Sequence, residues 1–193
     1  MPATSSPGTV TARRVLRSTT LQSPLGPLIA AALDEGICLL EFHDRPLLPA
    51  QRRMVEARLG GRMEEGGHRW LDQVGRELGE YFGGRRKRFE VPLIYPGTPF
   101  QVQVWKALLR IPYGATRSYA ELAEHLGSKG GQRAVGHANG MNRIAILIPC
   151  HRVVASDGGL AGYGGGLHRK RALLRLEGAV TGGRADQGVL DLL

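Results

Sequence analysis

Short apolar runs separated by turn residues organise the first half of the chain. Leu28–Leu33 and Ile37–Phe42 are two such runs joined by a short glycine-containing link, which predicts a β-hairpin. A helix is expected over Gln51–Leu59, and a second one over Trp70–Phe82, where apolar residues recur at helical spacing on one face. Phe89–Ile94 then has the composition of one more strand. The first half is therefore predicted to be a mixed α/β unit.

Helix-start signals dominate the second half of the chain. The segment Thr98–Gln101 combines a capping residue, a proline at the first helical position and a glutamine three residues after the cap. Ser118 and Glu121 form the same kind of capping box, and Gly127 ends the helix that they open. A further short helix over Gln132–Asn139 gives the order helix, turn, helix. In a basic protein this order suggests a helix-turn-helix, although many helical hairpins share it.

A buried strand is predicted over the apolar run Ile144–Ile148, and it ends at Pro149, which lacks the N–H that a strand ladder needs. This arrangement presents Cys150 at the end of the strand, with His151 as a neighbouring base. Glu177 follows a basic helix, at the end of the helix dipole where a carboxylate is unfavourable, so we expect it to have a polar partner. Thiol, imidazole and carboxylate are the parts of an activated cysteine nucleophile. The alternative is that Cys150 is a small core residue and His151 a surface residue.

Composition and charge limit the kinds of binding partner and the cellular compartment that are expected for the protein. The net charge of +9 in 193 residues indicates an anionic partner, with nucleic acid first and an acidic membrane surface second. Cys38 and Cys150 are the only two cysteines, so no disulfide framework is indicated, and a reduced compartment, the cytoplasm, is the simpler assumption. No apolar run approaches the ~20 residues of a membrane span. The sequence contains no cluster of Cys and His with zinc spacing either, and no metal site is expected.

The motif Pro149-Cys150-His151-Arg152-Val153 closely resembles the active-site motif of the O6-alkylguanine-DNA alkyltransferases, also called methylated-DNA–protein-cysteine methyltransferases. The resemblance is strong from Thr98 to Ala179 and weak over Ser23–Phe42. The further positions that carry it, in the order and spacing of that family, are Phe100-Gln101, Val104-Trp105, Ile111-Pro112-Tyr113-Gly114, Ser118-Tyr119, Arg133-Ala134-Val135-Gly136, Asn142, Tyr163 and Leu176-Glu177-Gly178. Chance does not produce agreement over so many spaced positions.

The resemblance implies a fold in two domains. Residues 15–94 would form an α/β domain of the ribonuclease H-like kind, which supports the second domain. Residues 98–179 would form a mostly α-helical domain that contains a winged-helix-like helix-turn-helix and the active-site cysteine. Residues 1–14, rich in Pro, Ser, Thr and Gly, are expected to be a disordered tail, and residues 180–193 a C-terminal tail.

The resemblance also implies a reaction. The family transfers an alkyl group from O6 of a guanine, flipped out of duplex DNA, to its own cysteine, and each molecule reacts once because the thioether is stable. Cys150 would be the acceptor, His151 would deprotonate it through a water molecule, and Glu177 would orient His151. Asn142 would tie the turn that carries Cys150 to the end of the recognition helix. No cofactor is needed because the protein is itself the acceptor, and O4-alkylthymine is a second candidate lesion.

The same resemblance implies which residues contact DNA. Tyr119 would hydrogen-bond the flipped base, and Arg133 would enter the stack that the guanine leaves. Small residues on the recognition helix, Ala134 and Gly136, would permit close approach to the minor groove. The walls of the base pocket would be Val153, Tyr163, Gly164 and Gly165. The implied partner is double-stranded DNA that contains O6-alkylguanine, bound by a monomer, with cooperative binding as an open alternative and no membrane involved.

Two other functions are compatible with parts of the sequence. A non-reactive lesion sensor would bind DNA in the same way, but relatives of that kind lack the cysteine that is present here as Cys150. A cysteine hydrolase that uses Cys150 and His151 would have to turn over, and no oxyanion or substrate-pocket motif supports it. Direct reversal of guanine alkylation is therefore the function that the sequence favours.

Overall fold

The computed structural model describes residues 14–128 and 130–179. Its first half is built on a four-stranded sheet, whose strands are β1 (Arg14–Leu21), β2 (Leu28–Leu33), β3 (Gly36–Phe42) and β4 (Gly61–Glu65). The strand order is β3-β2-β1-β4, with antiparallel pairing except between β1 and β4, which run parallel. The predicted hairpin is confirmed, since β2 and β3 pair along their whole length.

The two predicted tails fall almost entirely outside the described residues, which exclude 1–13 and 180–193. The sequence assigns Arg14 to the first tail, but the structure makes it the first residue of β1. It pairs there with Gly61 of β4, and its side chain forms an ion pair with Glu35. Strand β1 therefore includes the residue before the domain boundary expected at Val15.

Both faces of the sheet are covered, which explains the uninterrupted apolar runs of β2 and β3. Helix α1 (Leu48–Leu59) covers one face and begins ahead of its predicted start at Gln51. Helix α2 (Arg69–Phe82) covers the other face with Leu71, Val74, Leu78 and Tyr81, which confirms the helical spacing read from the sequence. Strands buried on both faces lose the alternation of apolar and polar residues that marks a half-exposed strand.

The sequence reading was wrong for two strands of this half. Phe89–Ile94 is not a strand, because only Leu93 forms a bridge, opposite Ile37 of β3. Pro92 has no N–H to donate, and its carbonyl accepts instead from the Ile37 N–H at 2.8 Å. Strand β4 was missed because its sequence, GRMEE, contains one apolar side chain and no period-2 pattern.

The second half is mostly helical. Its elements are α3 (Pro99–Leu108), α4 (Tyr119–His125), α5 (Gln132–Gly140) and α6 (Leu167–Leu176), with two-residue strands β5 (Arg117–Ser118) and β6 (Val153–Val154) paired in parallel. Both predicted capping boxes are present. At α3 the Gln101 N–H donates to Thr98 Oγ1 at 3.2 Å, and the Thr98 N–H donates to Gln101 Oε1 at 3.0 Å. These local signals set the helix starts as predicted.

The predicted strand over Ile144–Ile148 is not a strand. The chain coils there, and Ile146 has a φ of 70°, a left-handed conformation that is costly for a β-branched residue. All five side chains are buried, so the apolar run reflects burial on every side rather than an extended ladder. Leu40 of β3 forms two hydrogen bonds with the start of this segment. The Leu40 N–H donates to the Arg143 carbonyl at 2.9 Å, and the Ala145 N–H donates to the Leu40 carbonyl at 2.7 Å. The segment that leads to Cys150 is therefore attached to the edge of β3.

Two kinds of feature are absent from residues 14–128 and 130–179. None of the helices there combines the length and the apolar character that crossing a bilayer requires. The same residues contain no group of three His, Cys, Asp or Glu side chains arranged to hold a metal ion.

Candidate active site

Cys150 lies at a tightly held turn between the two halves of the fold. It begins a single turn of 3-10 helix, Cys150–Arg152, directly after Pro149. The Cys150 N–H donates to the Ile148 carbonyl at 2.7 Å, and the thiol is 6% exposed. Burial raises the pKa of the Cys150 thiol to about 11, although a hydrogen bond from Asn142 acts in the opposite direction. The resting cysteine is therefore a neutral thiol.

Two buried asparagine side chains hold this turn. Asn142 Nδ2 donates to Cys150 Sγ at 3.0 Å and to the Ile148 carbonyl at 2.9 Å, while its Oδ1 accepts from the Ile144 N–H at 3.0 Å. Asn139 Nδ2 donates to the Cys150 carbonyl at 3.3 Å. Both asparagines lie at or just after the end of α5, so this helix and the cysteine turn form one unit. The contact from Asn142 agrees with the sequence expectation, whereas Asn139 was missed.

His151 and Glu177 meet in the protein interior, and neither side chain is exposed. His151 Nε2 lies 2.9 Å from Glu177 Oε1. Arg152 donates to both carboxylate oxygens, from Nε at 2.7 Å and from Nη2 at 2.9 Å. Tyr81 Oη donates to Oε1 at 2.7 Å. The polar partner expected for Glu177 therefore exists, and three side chains share that role.

Two of these partners, Tyr81 and Arg152, are not predicted from the sequence. Tyr81 belongs to the apolar face of α2, where its ring reads as a core side chain and its hydroxyl is easily overlooked. Arg152 stands within the cysteine motif, but a single arginine in a protein with 26 basic residues reads as a solvated one. Arg152 is in fact 7% exposed, and its Nη1 also donates to the Ile111 carbonyl at 2.6 Å. A buried arginine of this kind requires a carboxylate nearby, and Glu177 provides it.

The electrostatics of the pair fix which nitrogen of His151 can act as a base. Burial disfavours the charged form of Glu177, but the hydrogen bonds from His151 and Arg152 outweigh it and lower the pKa to about 2. Burial also lowers the pKa of His151, against the opposing effect of Glu177. A carboxylate at Nε2 holds the proton on that nitrogen, so Nδ1 of the neutral ring is the acceptor. Nδ1 is buried without a hydrogen-bond partner among the described residues.

A glycine-rich loop, residues 157–166 and called the glycine loop below, packs against the end of the sheet in the first half. Gly164 and Gly165 have no room for side chains, since a Cβ would lie 2.3 Å from Arg45 Nη2 at the first and 2.8 Å from the Phe42 ring at the second. The Tyr163 hydroxyl is buried and has no partner among the described residues. Gly164 and Gly165 therefore pack against Arg45 and Phe42, at the end of the sheet of the first half.

Lys170 fastens the loop to β6. Its Nζ donates to the Val153 carbonyl at 2.6 Å and to the Ala161 carbonyl at 2.5 Å. Burial lowers the pKa of Lys170 to about 8. The carbonyl of Val153, a residue that the family resemblance places in the wall of the base pocket, therefore already has one donor in the structure.

The outer face of α5 carries the remaining predicted residues. Arg133 and Ala134 are exposed on it, and Gly136 is half-buried. The Tyr119 ring lies 3.7 Å from the place of a Cβ at Gly136, and its hydroxyl donates to the Gly162 carbonyl at 3.4 Å. Tyr119 thus connects α4, α5 and the glycine loop. The side chain of Arg133 is exposed to solvent on the outer face of α5.

Tyr81→Phe is expected to lower the free energy of unfolding by about 1.5–3 kcal/mol, because it removes a buried hydrogen bond to a charged carboxylate. Denaturant unfolding at pH 7 measures this. Tyr95→Phe is the matched control, since the Tyr95 ring lies beside Lys106 rather than beside Glu177. Equal losses in the two variants would contradict a specific contribution from the Tyr81–Glu177 contact.

The arrangement has the parts needed for nucleophilic chemistry at sulfur. A neutral thiol stands at a rigid turn, an unprotonated imidazole nitrogen belongs to the next residue, and an ionised carboxylate holds the ring. Asn139 joins this turn to α5, whose outer face carries the exposed Arg133. Such a site suits transfer of a group from a ligand to the cysteine.

Two protein-family models match this chain, one over each half. Residues 16–95 match the ribonuclease-like domain of 6-O-methylguanine DNA methyltransferase, and residues 99–179 match the DNA-binding domain of the same family. The sheet with α1 and α2 corresponds to the first match, and the helices around Cys150 correspond to the second.

Named proteins resemble the chain over most of its length. The methylated-DNA–protein-cysteine methyltransferase of Mycobacterium leprae (strain TN) is 45% identical over 157 residues, which covers 81% of this chain and 89% of the relative. The protein of the same name from Mycobacterium tuberculosis (strain ATCC 25618 / H37Rv) is 44% identical over 160 residues, with coverages of 82% and 90%. The crystal structure of Mycobacterium tuberculosis OGT in complex with DNA matches with a TM-score of 0.71 and 43% identity, over 86% of this chain and 93% of that chain. The chain therefore belongs to the 6-O-methylguanine DNA methyltransferase family, with a ribonuclease-like sheet domain followed by a helical DNA-binding domain.

Proposed function

We propose that this protein repairs O6-alkylguanine in double-stranded DNA by moving the alkyl group to its own Cys150, once per molecule. The observation that carries the proposal is the buried Cys150 thiol at a turn held by Asn142, next to the His151–Glu177 pair. Family membership supports the same reaction, because the relatives are named for methyl transfer from DNA to a protein cysteine.

The reaction begins with formation of the thiolate. His151 Nδ1 takes the thiol proton through a water molecule, and Glu177 stabilises the imidazolium that results. Asn142 Nδ2, 3.0 Å from the sulfur, donates to the thiolate as its charge develops. Burial raises the pKa of Cys150, so the free protein holds a neutral thiol whose proton must be removed before the sulfur attacks.

The transfer itself is a displacement at the alkyl carbon. The thiolate attacks this carbon as a bond forms between carbon and sulfur, and the bond between carbon and O6 breaks. The guanine leaves with the electron pair and receives a proton from the Tyr119 hydroxyl. The proton that His151 took from the thiol then returns to Tyr119 through solvent, so that no net proton is gained or lost. The thioether on Cys150 is stable, so the protein is consumed, and it requires no cofactor because it is the acceptor.

DNA would be read by a winged-helix-like helix-turn-helix made of α4 and α5. Arg133 would enter the stack in place of the flipped guanine, and the small Ala134 and Gly136 would let α5 approach the minor groove closely. Tyr119 would contact the flipped base at the mouth of the pocket. The pocket itself would be formed by Val153, Tyr163, Gly164 and Gly165. The net charge of +9 supports binding to the phosphate backbone.

The finer assignments belong to the same proposal. The N-terminal unit would span residues 15–94 and the DNA-binding, alkyl-accepting unit residues 98–179, with tails on either side. The protein would act in the cytoplasm as a monomer, and O4-alkylthymine would be a second substrate.

A labelling experiment tests the proposal. Incubation with duplex DNA that contains labelled O6-methylguanine is expected to add about 14 Da to Cys150, in one-to-one stoichiometry, as seen by peptide mass spectrometry. Cys150→Ser should bind the DNA without taking up label, and Cys38 should stay unmodified in both proteins. Binding without label by the wild type would indicate a lesion sensor, and release of methanol with turnover would indicate a hydrolase.

A further inference from the structure

The backbone carbonyl of Asn142 is held by the N-terminal domain. Arg45 Nη1 donates to it at 3.3 Å, and Gln51 Nε2 donates to it at 3.2 Å. Arg45 follows β3 in the chain and Gln51 belongs to α1, so both donors come from the ribonuclease-like half. Arg45 Nη2 also donates to the carbonyl of Gly140, the last residue of α5, at 2.5 Å.

These donors are buried, and one of them belongs to an internal ion pair. Gln51 is 1% exposed and Arg45 6% exposed. Arg45 Nη1 pairs with Glu41, which is fully buried and also accepts from the Phe42 N–H at 3.0 Å. Burying an ion pair adds little stability in itself, because the desolvation of both charges offsets their attraction. Because the ion pair lies beside the cysteine turn, its role is better explained as holding the neighbouring backbone in position.

The same guanidinium also contacts the glycine loop. A Cβ on Gly164 would lie 2.3 Å from Arg45 Nη2 and 2.4 Å from Cζ. Arg45 therefore lies against three parts of the candidate site at once, which are the end of α5, the Asn142 peptide and the loop proposed to wall the base.

We propose that Arg45 and Gln51 are positioning residues for alkyl transfer, which hold the Asn142 carbonyl and so direct its side-chain amide at Cys150 Sγ. This inference rests on the proposed function and assigns a part of it to the N-terminal domain. The link is mechanical, because the two donors fix the Asn142 peptide, and the position of this peptide sets the point from which the side chain projects. A displaced peptide would move the amide away from the sulfur to which it donates.

Gln51→Met tests the link most directly, because methionine has nearly the same shape and lacks the donor. The single-turnover rate constant for transfer from methylated duplex DNA is expected to fall about 10-fold. The rising limb of the pH–rate profile is expected to move to higher pH, because a misdirected Asn142 amide stabilises the thiolate less. A role confined to stability would lower the unfolding midpoint and leave this profile unchanged.

A double-mutant cycle with Asn142→Ala separates positioning from general damage. Alanine keeps the carbonyl that Gln51 binds but removes the amide that the carbonyl is proposed to direct. Gln51→Met should therefore cause no further loss of rate in the Asn142→Ala background. An equal loss in both backgrounds, or a folded Gln51→Met protein with the wild-type rate and profile, would overturn the inference.

Two further variants complete the test. Gln73→Met is the matched control, since Gln73 lies in the same domain and donates to Glu77 at 2.7 Å within α2, and its rate is expected to match the wild type. Arg45→Met is combined with Glu41→Gln, so that no buried charge loses its partner, and this double variant should reproduce the loss seen in Gln51→Met. An unchanged rate in a folded double variant would remove Arg45 from the proposal. If the wild type itself takes up no label, the proposed function fails rather than this inference.

Discussion

Glu177→Gln is expected to slow alkyl transfer by at least about 100-fold, the usual contribution of a positioned general base. The glutamine amide removes the negative charge that favours the imidazolium. Its N–H2 group can also face His151 Nε2, which would place the ring proton on Nδ1, the nitrogen that must accept the thiol proton. Single-turnover kinetics on methylated duplex DNA measures the loss. The rate of Cys150 alkylation by iodoacetamide should fall in parallel, because it also depends on the thiolate.

The control for this experiment is Glu90→Gln, which removes a carboxylate that is 78% exposed and lies 3.9 Å from Arg86. Its transfer rate should equal that of the wild type. A Glu177→Gln protein that is folded and reacts within a few-fold of the wild type would rule out the assigned role of the His151–Glu177 pair.

The same substitution should change the dependence of stability on pH. The folded-state pKa of Glu177 is about 2, below its usual value of 4.5, so ionised Glu177 favours the folded state. This contribution, on the order of 3 kcal/mol, is present above about pH 4.5 and is lost as the pH falls towards 2. Denaturant unfolding between pH 6 and 2 should therefore show a shallower acid-induced loss in Glu177→Gln than in the wild type.

Arg133→Ala is expected to slow transfer from duplex DNA by about 100-fold, because the protein then loses the side chain that offsets a few kcal/mol of unstacking. Arg133 is exposed on α5 and has no part in the hydrogen bonds around Cys150. Alkylation of Cys150 by iodoacetamide should therefore proceed at the wild-type rate. Binding and transfer assays on the same methylated duplex measure the effect on DNA.

Arg62→Ala provides the matched loss of one positive charge, from an exposed position in β4 of the other domain. It should change transfer from DNA far less than Arg133→Ala does. If both variants lose the same modest amount, the contribution of Arg133 is general charge attraction rather than occupation of the base stack.

The features that the sequence predicted best depend on residues close together in the chain. The capping boxes at Thr98 and Ser118 each involve two residues three positions apart, and both are present in the structure. The dipole argument at Glu177 correctly required a polar partner, because it rests on one helix end. It could not say that Tyr81 is one of those partners, since the contact joins residues 96 positions apart.

The failures have a common physical cause. An apolar run predicts that a segment is buried, and Ile144–Ile148 is indeed buried. Burial on all sides does not determine the backbone conformation, so the same run does not predict a strand. Gly61–Glu65 shows the reverse case, a strand without an apolar pattern. Its backbone pairs with β1, although Met63 is the one apolar side chain in the segment. The sequence does not predict the contacts of Arg45 and Gln51, because the carbonyls that they bind, at Gly140 and Asn142, belong to the other half of the chain.

The long separation of the contacts around Cys150 has a consequence for the life of a newly made chain. Arg45 and Asn142 are 97 positions apart, and Tyr81 and Glu177 are 96 positions apart. Contacts between such distant residues form late in folding, because closing long loops costs entropy first. A chain in which the segment that carries Glu177 has not yet packed therefore contains Cys150 without the carboxylate proposed to complete the base. The thiol would then acquire its reactivity only when this long-range contact has formed.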